Sequence, residues 1–276
     1  MPTTISAPTD LKSLARDMRV DIIRMIEAAG NGHPGGSLSV IDLLTVLYWK
    51  FLKHDPKKPD WADRDRLILS KGHACPALYA VMAKRGYFPH DELLTLRKLG
   101  SPLQGHPDRL RLPGIEFSTG SLGQGLSVGL GMAIAAKMDK KDWRTYVVLG
   151  DGELQEGQNW EAFMAAPKFR LDNLIAIVDH NNGQIDGPVD QVMNIEPLAD
   201  KFRAFNWEVQ MIDGHDLGAI EKAFSAAQKA GGKPHAIIAK TIKGKGVSFM
   251  ENNIAWHGNA PKKEDADKAV KEILNG

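Results

Sequence analysis

Five short apolar runs, most of them separated by stretches of helical spacing, constrain this chain more than any other feature: 67–69, 146–149, 174–178, 208–212 and 236–239. Runs of this length without polar alternation read as strands buried on both faces. Strands that alternate with helices return in parallel, because each crossover carries the chain back over the sheet. The expected fold is therefore α/β: a mostly parallel sheet of five to six strands with helices on both faces. Ligands in such folds bind outside the carboxyl ends of the strands, so function is expected there.

Between Asp10 and Ala29, the residues Leu11, Leu14, Ala15, Met18, Ile22, Met25, Ile26 and Ala29 recur at three- and four-residue spacing, and Gly30 follows. That is an amphipathic helix with a stop signal. A loop from Asn31 to Gly36 is expected to lead to Ser37, read as the N-cap of a second apolar helix through Leu43, Leu44 and Leu47. From Gly120 to Met138 the chain is crowded with glycine and alanine. An interior helical glycine costs about 1 kcal/mol relative to alanine, so close packing or ligand contact is the expected reason for them.

Two hundred and seventy-six residues suit one large domain, 1–276, with a flexible N-terminal arm over 1–9 and a C-terminal helix or tail over 260–276. The arm has neither the basic cap nor the apolar stretch of a signal peptide. Lys plus Arg (35) and Asp plus Glu (34) nearly cancel, so no overall field favours nucleic acid or an anionic membrane. No apolar run approaches the ~20 residues that span a bilayer. Cys75 is the only cysteine, which excludes an internal disulfide and suits a reducing cytoplasm.

The chemistry concentrates where two runs end. Gly150-Asp151-Gly152-Glu153 follows one strand, and Asp179-His180-Asn181-Asn182-Gly183 follows the next. A right-handed crossover brings those two ends into one crevice. A carboxylate, an amide oxygen and a loop carbonyl form a hard-oxygen set for Mg²⁺ or Ca²⁺ rather than zinc. One carboxylate leaves such an ion under-neutralised, and a diphosphate is the natural source of the missing charge.

Gly-Asp-Gly followed about thirty residues later by Asn-Asn resembles the thiamine-diphosphate fingerprint. The wider context is similar to the transketolase family: Gly32-His33-Pro34-Gly35, Ser70-Lys71-Gly72-His73-Ala74, Gly105-His106-Pro107, Ser118 to Gly125, Gly150 to Gly157 and Trp256-His257-Gly258, in family order. The resemblance implies a thiamine-diphosphate-binding fold in which Asp151, Asn181 and the carbonyl of Gly183 hold Mg²⁺, with Ca²⁺ or Mn²⁺ able to substitute. It implies a cofactor lined by His73, Gly120, Ser121, Leu122, Asp151, Gly152, Glu153, Asn181 and His257. It also implies that His33, His73, His106 and His257 surround the reacting carbons, and that Glu156 joins an acidic relay at a subunit interface. Imidazole moves protons in either direction near neutral pH, which suits ketol transfer between sugars.

A full transketolase continues with a pyrimidine-binding domain and a C-terminal domain, which this sequence does not carry. The expectation is a split enzyme, an α₂β₂ assembly with a C-terminal subunit that supplies those domains, acting on sugar phosphates. A deoxyxylulose-phosphate synthase-like or α-ketoacid dehydrogenase-like subunit, and a non-catalytic homologue, stay open at this point. A dinucleotide enzyme is disfavoured because no Gly-x-Gly-x-x-Gly follows the first strand. Lys243 and Lys245 could form a phosphate-binding loop but read rather as a solvated basic turn outside the site, and His54, His90, His180, His215 and His235 match no motif.

Overall fold

The structure, a computed structural model, describes residues 10–229 and 231–276; the arm expected over 1–9 lies outside them. Five strands form one wholly parallel sheet: β1 (Arg66–Leu69), β2 (Thr145–Gly150), β3 (Leu174–His180), β6 (Glu208–Asp213) and β7 (His235–Lys240), in the order β1-β2-β3-β7-β6. A two-stranded antiparallel hairpin, β4 (Gly183–Gln184) with β5 (Gly187–Pro188), stands on the end of β3. All five apolar runs are strands of the sheet. Four are buried as expected, but β6 is half-exposed, with Met211 open to solvent. It is an edge strand paired only with β7, and unlike β1 at the other edge its faces are incompletely covered by helices.

Alternate side chains of each central strand feed two cores, one on each face of the sheet. Tyr146, Val148, Ile175 and Ile177 pack with α1 (Leu11–Ala29), α2 (Pro34–Val46) and α3 (Cys75–Arg85). Val147, Leu149, Ala176 and Val178 pack with α4 (Gln124–Met138), α5 (Gly157–Lys168) and the region of the short α6 (Val189–Val192) and α7 (Leu198–Ala204). On the first face, α8 (Leu217–Ala227) contributes Phe224 and α9 (Lys263–Asn275) contributes Ala266, Ala269 and Ile273. The C-terminal stretch is therefore a helix, docked on α1 by three small or branched side chains rather than frayed.

The helix termini follow their local chemistry. Asp10 caps α1 by accepting from Lys12 N, and Gly30 ends it in the left-handed conformation. The second helix departs from expectation: α2 starts at Pro34, not after Ser37. Proline fits the first helical turn, where its missing N–H is no loss. Gly35 and Gly36 are thus buried inside the helix, and Ser37 Oγ donates back to the His33 carbonyl at 2.7 Å instead of capping. Gly125 and Gly129 of α4 behave as expected for close packing, since a side chain at Gly129 would come within 2.5 Å of Val147 on β2, whereas Gly131 has open space around it. Among the described residues no helix is long and apolar enough to cross a membrane.

The carboxyl ends of β1, β2, β3 and β7 all open on one edge of the sheet. The loops that follow them, beginning at Ser70, Asp151, Asn181 and Thr241, build the site.

Candidate functional site

A cavity of about 370 Å³ lies at these strand ends, lined by residues of all four loops together with His33, His106, Gly120, Leu122 and His257. Its floor is polar. Gly150 of β2 pairs with Asp179 of β3, so Asp151 and Asn181 both emerge at the same end of the sheet, where the Asn182 N–H donates to Asp151. Asp151 is buried, and its carboxylate accepts from Gly152 N at 2.9 Å and from Asn182 N at 2.5 Å. Burial, and secondarily the charge of Asp179, raise its pKa above the ordinary carboxylate value. Asn181 donates from Nδ2 to Asp179 and Ser39, which leaves its Oδ1 on the opposite side, 3.0 Å from Gly183 N.

Two buried lysines complete the floor, and the sequence reading missed both as site residues. Lys71 pairs with Asp179, which also accepts from Ser39 and Thr241. Lys243 is 2% exposed and donates from Nζ to the Gly183 carbonyl at 3.0 Å. It is not a solvated turn residue. Desolvation, with Lys71 nearby, lowers its pKa to about 8. The clue to Lys243 was the crowding of glycine around it, since Thr-Ile-Lys-Gly-Lys-Gly allows a sharp turn back into the fold. Lys245, in the same turn, is the partly exposed partner of Glu251.

The four histidines converge, although they come from four distant segments. His33 sits at the N-cap position of α2, His73 in the turn after β1, His106 in the loop before α4 and His257 after a short turn at Ile254–Trp256. Ring centroids of His33 lie 5.2 Å from His73, 5.6 Å from His257 and 6.4 Å from His106, and His73 lies 5.2 Å from His257. Burial, reinforced by nearby cations, pushes His33 down to about 4 and His257 to about 3, and lowers His73 and His106 as well. All four rings are neutral at pH 7, each with one donor and one acceptor nitrogen. Nδ1 of His257 is buried without a hydrogen-bond partner. Arg97, also absent from the sequence reading, reaches toward His33 Nδ1 at 3.5 Å and the Gly105 carbonyl at 3.3 Å.

Glycines let the loops close around the cavity. Gly120 has φ +138°, and a side chain there would meet the His106 ring at 2.9 Å. One at Gly152 would meet Gln184 at 2.7 Å. Gly120 and Leu122 line the cavity, whereas Ser121 is exposed beside them. Glu153 is buried with its carboxylate committed to protein donors: Gly123 N at 2.9 Å, Gly150 N at 3.0 Å and the Ser70 hydroxyl. It acts on the cavity through the loops it ties together. Glu156 is exposed at the rim, at the N-cap position of α5, with no capping bond from its side chain. His180 faces Glu196 at 3.1 Å and does not line the cavity.

The donor set fits a cation that arrives with an anion. Among the described residues no three His, Cys, Asp or Glu side chains group into a metal site. Asp151, the Asn181 amide and the Gly183 carbonyl supply too little charge for a divalent ion alone. Lys71 already balances Asp179, while Lys243 is turned to the Gly183 carbonyl. A divalent cation added here needs phosphate oxygens to complete its shell, as Mg²⁺ commonly does.

Residues 11–275 match the family described as transketolase, thiamine diphosphate binding domain. The chain is 48% identical over 264 residues to the 6-deoxy-6-sulfo-D-fructose transketolase subunit SqwG of Clostridium sp. (strain MSTE9), covering 96% of each protein. It is 44% identical over 255 residues to an apulose-4-phosphate transketolase subunit of Phocaeicola vulgatus, covering 92% of this chain and 90% of that one. The crystal structure of transketolase from Campylobacter jejuni superposes with a TM-score of 0.91 at 38% identity, over 97% of this chain and 43% of that chain. The chain thus spans nearly the whole of the separate subunits and about two fifths of that longer protein.

Proposed function

We propose, since this chain belongs to the transketolase family and carries its thiamine diphosphate binding domain, that it is the N-terminal subunit of a split transketolase. In this reading it holds Mg²⁺ and the diphosphate of thiamine diphosphate. With a separate subunit bearing the pyrimidine-binding and C-terminal domains, it transfers a two-carbon ketol unit from a ketose phosphate to an aldose phosphate. One observation carries the reading: Asp151, Asn181 and Gly183 meet at the floor of a cavity whose walls are four neutral histidines.

Each residue has a chemical task in this scheme. Asp151, Asn181 Oδ1 and the Gly183 carbonyl would ligate Mg²⁺, and Lys243 would turn from that carbonyl to the phosphate oxygens. His73, Gly120, Leu122, Gly152 and His257 would line the cofactor, with Ser121 at the margin. When bound, thiamine diphosphate supplies the carbanion chemistry that breaks and forms the carbon–carbon bond. The chain's own part is orientation, exclusion of water and proton handling. Rings kept neutral by burial offer an acceptor and a donor to each sugar hydroxyl, and the unpartnered Nδ1 of His257 is an open position for one.

The separate partner is supported by relatives that are themselves called subunits and that this chain spans almost end to end. Glu156 and the 70% exposed Ile185 stand at the cavity mouth, where a second chain would cover them. Transketolase sites form between subunits, so an α₂β₂ assembly is the natural form. A lone buried thiol, Cys75, suits a cytoplasmic setting.

Co-expression with a chain carrying the pyrimidine domain tests the proposal. The assembled protein should bind thiamine diphosphate with Mg²⁺ by calorimetry and transfer ketol units from ketose phosphates. Turnover of pyruvate instead would assign another thiamine-diphosphate reaction, and full activity of this chain by itself would end the split-enzyme reading.

A further inference from the structure

His215 has a position that the cofactor chemistry does not explain. It follows β6, and its Nδ1 lies 2.7 Å from Asp42 Oδ2 on α2. Its Nε2 accepts from the backbone N–H of Ile242 at 2.9 Å. An amide N–H can only donate, so Nε2 carries a lone pair and the ring proton resides on Nδ1, donated to Asp42. Arg19 of α1 donates to the same carboxylate at 2.5 Å. Burial alone would raise the Asp42 pKa, but the bonds from His215 and Arg19 outweigh it and hold the carboxyl below the usual value. The result is an ordered chain, Arg19 to Asp42 to His215 to Ile242.

Ile242 is the neighbour of Lys243. The inner side of their loop is tied to the cofactor cavity, with Gly244 N bonded to the Gly35 carbonyl at 3.0 Å and Lys243 Nζ to Gly183. The outer side is different. There the loop faces a second cavity, of about 530 Å³, whose walls include Arg19, Asp42, His215, Lys245 and Gly246. Lys245 and Gly246 border open space on that side, so the bond from the Ile242 amide to His215 is a directed restraint on the loop there.

We propose that His215 is a positioning residue of the cofactor site: the Arg19–Asp42–His215 chain holds the loop from Thr241 to Val247 through the Ile242 amide and so sets Lys243 against Gly183. The consequence for diphosphate binding rests on the function proposed above, but the positioning itself does not.

The first test uses the unaltered protein. Nitrogen NMR of labelled histidine should show His215 as the Nδ1–H tautomer with Nε2 a hydrogen-bond acceptor, and the Nε2–H tautomer would overturn the proposal. The second test follows acylation of Lys243 at one fixed pH by peptide mass spectrometry. His215→Phe should speed it about tenfold, as expected when a buried hydrogen bond that restrains local opening is lost. His215→Gln, which retains an acceptor and a donor, should restore slow labelling. A folded His215→Phe protein that labels at the original rate refutes the positioning role, and if that variant fails to fold the tautomer decides alone. Protection of Lys243 by magnesium pyrophosphate is a separate arm: its absence would count against the diphosphate site and leave the His215 result standing.

Discussion

Asp179 Oδ2 accepts a hydrogen bond from Asn181 Nδ2 at 3.1 Å, and this contact decides which end of the Asn181 amide is left for the cavity. Asp179 is fully buried and also takes bonds from Lys71, Ser39 and Thr241. It therefore neutralises Lys71 and orients Asn181 at once. Asp179→Ala leaves Lys71 buried without a counter-charge, which typically costs about 3–5 kcal/mol. Urea unfolding should show a loss of that size, and Lys71→Met in the same chain should recover a substantial part of it. A double variant no more stable than the single one would contradict this account.

Asp151 has the opposite energetic standing. Its carboxylate is buried and repelled by Asp179, so its charge opposes folding. Asp151→Ala should leave the unfolding midpoint nearly unchanged, while calorimetry should show Mg²⁺-dependent binding of thiamine diphosphate weakened by at least about 100-fold, since even the loss of an outer-shell partner of a metal ligand costs about 10–100-fold. Retained affinity would remove Asp151 from the cation site.

The histidine cluster sets an acid limit on stability. In the unfolded chain each ring takes up a proton near pH 6.5, whereas in the fold His33 does so only near 4 and His257 near 3. The unfolded state therefore binds more protons as the pH falls below about 6.5, and stability declines from there through about 4. Asp42 and Asp179, whose values lie below the ordinary carboxylate range, lose their contributions only at lower pH. Melting temperatures recorded from pH 7 to pH 4 should fall steadily, and His33→Asn should flatten the decline. An unchanged slope in the variant would mean that His33 is not held neutral by the fold.

Much of this was legible in the sequence because its signals are local. The apolar runs at 146–149 and 174–178 announced β2 and β3, and the spacing of Asp151 and Asn181 announced their meeting. Proximity among His33, His73, His106 and His257 followed from family resemblance, since nothing in their spacing ties four separated loops together. What escaped depends on tertiary context. The run at 208–212 looks like a buried strand, yet incomplete cover by helices at the end of the sheet leaves Met211 exposed. Lysine is ordinarily a surface residue, so the burial of Lys71 beside Asp179 shows only in the fold, and for Lys243 beside Gly183 the glycines of its turn were the one local hint.

Helix α4 offers the sharpest contrast between propensity and packing. By propensity alone, each glycine of α4 replaced by alanine should stabilise the protein by about 1 kcal/mol. Around Gly131 there is open space within 4 Å of a new side chain, so Gly131→Ala should show that gain. At Gly125 a methyl group would meet Ser70 Cβ at 2.6 Å and its Cα at 2.9 Å, where the backbone cannot yield cheaply. Overpacking of this kind costs about 1–3 kcal/mol, so Gly125→Ala should destabilise despite its better propensity. Ser70 also donates to Glu153, which ties down Gly123 and Gly150, and the strain should therefore reach the cofactor loops. Urea unfolding of the two variants checks the sign at each position. Gains at both would mean that α4 can move off β1, and that its glycines are not there for close packing.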